Sequence, residues 1–232
     1  MKNQLTLLLA IFFMGSISPL FGQVSVGVRG GVSFGSLSLQ NQVLDNKTIA
    51  NPSISLPVEI RLSKLAAIQP EFNLHRQSGT LSRSLSSLSS SGTAAFSEQT
   101  CQYDVDFVQA PILIKISPSQ KRFSADVFWG PSIGIALRGT ENSTLVSTFE
   151  GGSWTDSFER DLEIGGELSE VRKVQWSFIV GGALNYRMKG SRLVVDVRHQ
   201  VSLDHVASIS DEGKVAHQGT TVSFGYMVDL TR

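Results

Sequence analysis

A set of charged residues falls on one parity of segments whose other parity is apolar: Arg29, Glu59, Arg61, Glu71, Lys115, Asp126, Arg187, Arg192, Asp196, Arg198 and Asp229. Successive side chains of a strand point to opposite faces, so this period of two puts the ions and the hydrocarbon on different sides. Arg, Lys, Asp and Glu mixed on the inner face of a narrow ring of strands neutralise one another, and their burial is tolerable only when each is paired and hydrogen-bonded. The chemistry implied is structural. A lumen charge network built on Arg29, Glu59, Arg61, Glu71, Lys115, Asp126, Asp196 and Arg198 fills the interior, in preference to an open pore or a relay path.

A second set collects near expected strand ends: Asp104, Asp106, Asp204, His205 and His217. Acids and histidines on one rim are what a rim-located hydrolase would use. Asp and His are also ordinary in solvated loops, and the chain has no GxSxG, no HExxH and no nucleophile with a placed base. The expectation is therefore not an enzyme, with no catalytic residue and no cofactor; the histidine spacing matches no metal-ligand signature, so no metal site is expected either. The rim hydrolase stays as a third reading. Cys101 is the single cysteine, forms no internal disulfide, lies far from the leader and reads as an inert thiol.

The elements that must position these residues are strands. Phe123, Ala125, Val127, Trp129, Pro131, Ile133, Ile135 and Leu137 are wholly apolar, while Ser124, Asp126, Phe128, Gly130, Ser132, Gly134, Ala136 and Arg138 are mostly small or polar. The same alternation runs through Val24 to Phe34 and Ser53 to Leu62. Strands are expected near 24–35, 53–63, 65–77, 103–117, 122–137, 175–188, 191–203 and 219–230, joined by tight turns around Lys64, Ser119 and Gly190 and by long loops at 36–52, 78–102, 138–174 and 204–218. Long loops on one rim and short turns on the other fit an all-β, eight-stranded antiparallel up-and-down transmembrane β-barrel. Strand one should pair with strand eight, because an unpaired edge in hydrocarbon leaves backbone groups unsatisfied.

Lys2, the apolar run Leu5 to Met14 and the small residues up to Gly22 form a signal peptide over 1–22, with 23–232 as one barrel domain. The apolar run is too short for a spanning helix, which needs about 20 residues. Both termini then lie in the periplasm and the long loops are extracellular, in the outer membrane. With 20 basic and 20 acidic residues, nothing recruits nucleic acid. Phe34, Trp176 and Phe178 fall toward the long-loop rim, and Phe123, Tyr186 and Leu230 toward the other, as interface girdles require. A soluble periplasmic barrel, with the apolar parity inside, is the competing fold.

Two loops hold possible partner surfaces. Leu81, Leu85 and Leu88 stand at helical spacing within a Ser-rich run, which reads either as a binding stripe or as a flexible segment or strand extension. Trp154 and Phe158, with Glu150, Asp156, Glu159, Asp161 and Glu163, form either a docking loop or a hairpin extending its flanking strands.

Short sequences ordered along the mature chain carry a resemblance: Val26-Gly27-Val28-Arg29-Gly30-Gly31-Val32-Ser33-Phe34, Gln69-Pro70-Glu71-Phe72, Gln109-Ala110-Pro111-Ile112-Leu113-Ile114-Lys115, Trp129-Gly130-Pro131-Ser132-Ile133-Gly134, Gly181-Gly182-Ala183-Leu184-Asn185-Tyr186 and Phe224-Gly225-Tyr226. Together they resemble the PorT-like outer-membrane β-barrel family of Bacteroidetes-type bacteria. The departures are His199, where that family usually has an aromatic residue, and the ending Asp229-Leu230-Thr231-Arg232 in place of a terminal Phe. The resemblance implies the fold and the location; the family's namesake group is linked with protein secretion. The expected role is structural, or an interaction through the extracellular loops of a monomeric barrel in outer-membrane lipid, with an envelope or secretion-system protein as possible partner. A component of a secretion or transport assembly is the alternative.

Overall fold

The computed structural model describes residues 23–39, 49–88, 94–119, 121–149, 152–165, 171–204, 207–209 and 213–230. The leader expected at 1–22 lies outside the described residues. Ten strands follow in chain order: β1 Val24–Leu39, β2 Ile49–Arg61, β3 Ala66–Leu88, β4 Ala94–Ile116, β5 Phe123–Phe149, β6 Gly152–Asp161, β7 Val174–Met188, β8 Ser191–Ser202, β9 Ala207–Ile209 and β10 Gly213–Asp229. Neighbours pair in the order β1-β2-β3-β4-β5-β7-β8-β10, and β10 returns to pair with β1. The seam is antiparallel and long, running from Ser25↔Asp229 to Leu39↔Val215. Eight strands thus close an up-and-down ring, with β6 on β5 and β9 on β10 as additions outside it.

The two sides of the wall are told apart by burial. Phe123, Val127, Trp129, Ile133, Ile135 and Leu137 are exposed, whereas Ser124, Asp126, Phe128, Ser132 and Ala136 between them are buried. Val28, Ile54, Phe72, Ile112, Val180, Val195 and Phe224 extend this exposed apolar surface around the ring. A soluble barrel would bury that parity; a continuous apolar outside is the lipid band of a membrane barrel. Phe123 and Tyr186 pack with ring centroids 4.8 Å apart at the short-turn end, with the Arg122 guanidinium 4.9 Å from the Tyr186 centroid. His199 points outward too, and its Nδ1 is 3.0 Å from Thr220 Oγ1 on the neighbouring strand.

The structure departs from the sequence reading in two ways. The loops expected at 78–102 and 138–174 are largely strand, because β3, β4 and β5 run on beyond the apolar band and β5 turns back into β6. Hydroxyl and amide pairs hold this extension: Ser97 to Ser147 at 2.9 Å, Gln99 to Ser143 at 3.3 Å and Cys101 to Ser143 at 3.1 Å. With water on its outer surface the extension needs no apolar parity there, so the period-two signal fades.

The second departure is at Arg138, read as the first residue of a long loop and found on the strand, exposed. Asp106 pairs with Arg138 but Phe107 pairs with Ala136, leaving Leu137 as an extra residue. Such a bulge switches the parity of the strand beyond it. Past the bulge Gly139, Glu141 and Ser143 are the buried positions, and Arg138 reaches Asp161 on the outside.

Glycines mark close approaches. Gly190, at φ 78°, forms the tight turn between β7 and β8, a backbone conformation that L side chains rarely adopt. At Gly181 an added Cβ would stand 2.6 Å from the Phe128 ring and 2.5 Å from the Val197 carbonyl oxygen. Gly181→Val should therefore displace Phe128 and lower stability by about 1–3 kcal/mol, measured as an earlier urea midpoint for loss of the compact band on unheated SDS gels. An unchanged midpoint would mean that Phe128 repacks without cost.

Candidate functional site

The lumen holds two ion-pair networks. In the first, Arg29 on β1 bridges Glu71 on β3 and Asp196 on β8. Arg198 bridges the same two acids, at 2.8 Å to Glu71 and 2.7 Å to Asp196. Two cations and two anions thus close a neutral ring across the barrel. The remaining acceptor positions are taken by Gln69, donating to Glu71 at 2.6 Å, and Ser223, donating to Asp196 at 2.8 Å. The Arg29 Nε donates to Ser55 at 3.2 Å. Its stem lies where Gly225 has no side chain, since a Cβ there would fall 2.1 Å from Arg29 Cγ.

In the second network Glu59 on β2 receives Lys115 at 2.9 Å, Arg192 at 2.7 Å and Arg61 at 3.1 Å. Lys115 also meets Asp126 at 2.8 Å, and Asn185 donates to Asp126 at 2.7 Å. All eight residues singled out from the sequence are buried on the inward parity and fall into these two groups. Arg192, read as inward but left out of that set, completes the second. The neutral partners Gln69, Asn185, Ser55 and Ser223 were missed; their only sequence signal is position on the same parity.

Apolar side chains fill the space between the ions. Leu113, Phe128, Ile179, Ala183, Val194 and Met227 form one inner cluster, with the Arg198 guanidinium 5.4 Å from the Phe128 ring centroid. Toward the long-loop rim Gln77 donates to Gln175 at 3.1 Å, and Gln175 to Ser202 at 2.5 Å. Above that layer Val105, Phe107 and Ala136 pack with Leu162 and Val171 from the segment joining β6 to β7. Between the layers a cavity of about 30 Å³, lined by Arg29, Arg198, His75 and Gln109 among others, has room for about one or two waters.

Among the described residues, the proposed rim acids and histidines do not converge. Asp106 is held by Arg76 at 2.7 and 3.0 Å, and Asp104 accepts from Gln102 at 3.1 Å. Both stand on β4, which pairs with β3 and β5 and not with β8 or β10. His217 is buried on β10, Asp204 is half-buried just after β8, and His205 lies outside the described residues. Among the described residues no group of three His, Cys, Asp or Glu is arranged to hold a metal ion.

Beyond the apolar band, the extension continues the inner parity as a sheet face carrying Tyr103, Glu141 and Ser143. Arg160 on β6 reaches Glu141 at 2.5 Å. Burial, and then the Glu141 carboxylate, push the Tyr103 phenol up, so it stays a neutral hydroxyl. Phe96, Phe149, Trp154 and Phe158 are exposed on this extension, and every residue of β6 is exposed.

A closed ring with an apolar exterior and a lumen packed with paired ions defines an outer-membrane β-barrel. The chain belongs to the family described as outer membrane protein beta-barrel domain, whose model matches residues 16–208. No curated protein matches it. Among solved structures it is similar to Ail, the attachment invasion locus protein of Yersinia pestis, at 12% identity and TM-score 0.41, covering 89% of this chain and 98% of that one. It is also similar to the outer membrane protein OprG from Pseudomonas aeruginosa, at 10% identity and TM-score 0.42, covering 90% of this chain and 96% of that one.

Proposed function

We propose that this barrel is a rigid membrane anchor whose sheet extension binds a protein partner outside the cell. The reading is carried by one observation: Phe96, Phe149, Trp154 and Phe158 stand exposed on ordered strands beyond the lipid band. Aromatic residues on a rigid platform are the usual anchors of protein interfaces. A lumen filled by ion pairs and apolar side chains supports a role in interaction over conduction. In this reading 1–22 is a cleaved leader, both termini face the periplasm, and the extension faces outward from a monomeric barrel. The partner class favoured is an envelope or secretion-system protein, in line with the PorT-like resemblance.

The test places a photo-crosslinking amino acid at position 154 or 158 in intact cells. A discrete heavier adduct from both positions, and none from position 195 in the lipid band, is expected; its identification by mass spectrometry says whether the partner belongs to a secretion assembly. Absence of any protein adduct from 154 and 158 in folded, surface-labelled protein would sink the reading.

A further inference from the structure

The short-turn end of the lumen gathers more positive than negative side chains. Arg61 ends β2, Lys115 stands one residue from the end of β4, and Arg187 and Arg192 are directly opposed where a tight turn joins β7 to β8. The acids that share their inward parity at this end are Glu59, Asp126 and Asp229, so four cations meet three anions among the described residues. Glu59 is divided among Arg61, Lys115 and Arg192. Asp126 takes Lys115 and Asn185, and Asp229 accepts from Ser25 at 2.7 Å.

Arg187 is the cation left over. Among the described residues no acid pairs with it, and its Nε and Nη2 are enclosed without a hydrogen-bond partner. The charges that act on it are Arg61 and Arg192, which repel it, and Asp126 and Glu59, which attract it. Arg192 is 3% exposed, and its Nε has no partner either. On the adjoining β5 the buried Ser124 adds a hydroxyl in the same condition. Like charges directly opposite on neighbouring strands destabilise the pair, and an enclosed charge is costly unless something answers it. Arg187 is only half-buried, so a solute at this end can reach it.

We propose that the short-turn mouth of the lumen is an oxyanion site, in which the guanidinium groups of Arg187 and Arg192 hold the phosphate group of a solute entering from that end. The occupant follows from the charge count and the donors: one bound monoanion makes the mouth neutral, and guanidinium forks match phosphate oxygens with paired N–H bonds. Both side chains face the lumen, away from head groups lying against the outer wall, so the phosphate belongs to a free solute and not to a membrane lipid. In the orientation proposed for the barrel, this mouth opens to the periplasm.

The test takes the full protein in an uncharged detergent and compares inorganic phosphate with chloride at equal ionic strength. Phosphate strengthens burial in any protein, so the readout is the part of the rise in urea midpoint that Arg187→Gln removes. Two opposite signs are expected. Without phosphate, Arg187→Gln should match or exceed the parent midpoint, because it relieves the repulsion across the turn; with phosphate, the parent should gain more than the variant. Phosphorus NMR should show the phosphate line broadened by the parent and not by the variant. A variant less stable than the parent in phosphate-free buffer would assign Arg187 to the Asp126 Oδ1, which has no donor, and would overturn the proposal. Equal gains in phosphate, or equal line widths, would overturn it as well. A rise with phosphoglycerol lipid that inorganic phosphate does not give would overturn the free-solute assignment.

Discussion

Arg29→Gln is expected to cost the folded barrel about 3–5 kcal/mol, the range for breaking a buried ion pair and leaving its partner charge uncompensated. The variant leaves Glu71 and Asp196 sharing Arg198 alone, an excess anion inside a wall that faces lipid. Against a total stability of about 5–15 kcal/mol, that loss is large. Measured as the urea midpoint at which the compact, heat-modifiable band disappears, Arg29→Gln should unfold far earlier than the parent. Arg29→Gln with Glu71→Gln removes one charge of each sign and leaves Arg198 on Asp196, so the pair should recover much of the loss. If the double variant falls as far as the sum of the singles, the ring is not a coupled network.

Glu59→Gln is expected to have an effect of comparable size with the opposite sign of residual charge. Glu59 faces Lys115, Arg192 and Arg61, so its neutralisation leaves those cations with Asp126, which reaches only Lys115 among the described ion pairs. A further drop on moving to low-salt buffer would not follow, because these groups are shielded from solvent ions. Adding Lys115→Met should restore part of the stability. A Glu59→Gln barrel with the parental midpoint would show that the second network contributes nothing to the fold.

The strands of the ring were legible because each must satisfy two solvents at once. Val24 to Phe34 and Phe123 to Leu137 alternate so regularly that parity alone separates the lumen from the lipid band. The inward charges were legible for the same reason, but their partners were not. Arg29 and Asp196 are 167 positions apart and meet only because the ring closes. The bulge at Leu137 was hidden, since Leu137 keeps the apolar parity of Phe123 to Ile135 and leaves no break in the sequence. For the extension of β3, β4 and β5 the sequence left a strand extension open beside a binding stripe and a flexible segment, and could not choose among them because Ser, Thr and Gln pairs satisfy a strand that meets water without leaving an apolar stripe. For Trp154 and Phe158 the sequence left a docking loop and a hairpin open, and the hairpin is what forms.

The seam between β1 and β10 carries a consequence for the order of assembly. The ring of Arg29, Glu71, Asp196 and Arg198 joins residues of β1 and β3 to residues of β8, so none of its cross-links between the two halves exists until β8 is present, and Ser223 on β10 joins with the last strand. A partly inserted chain would hold Arg29 and Glu71 without Asp196, Arg198 and Ser223, at the place where hydrocarbon tolerates stray charge least. The network therefore works as a completion latch: its charges are all paired only once β8 has come round to face β1 and β3.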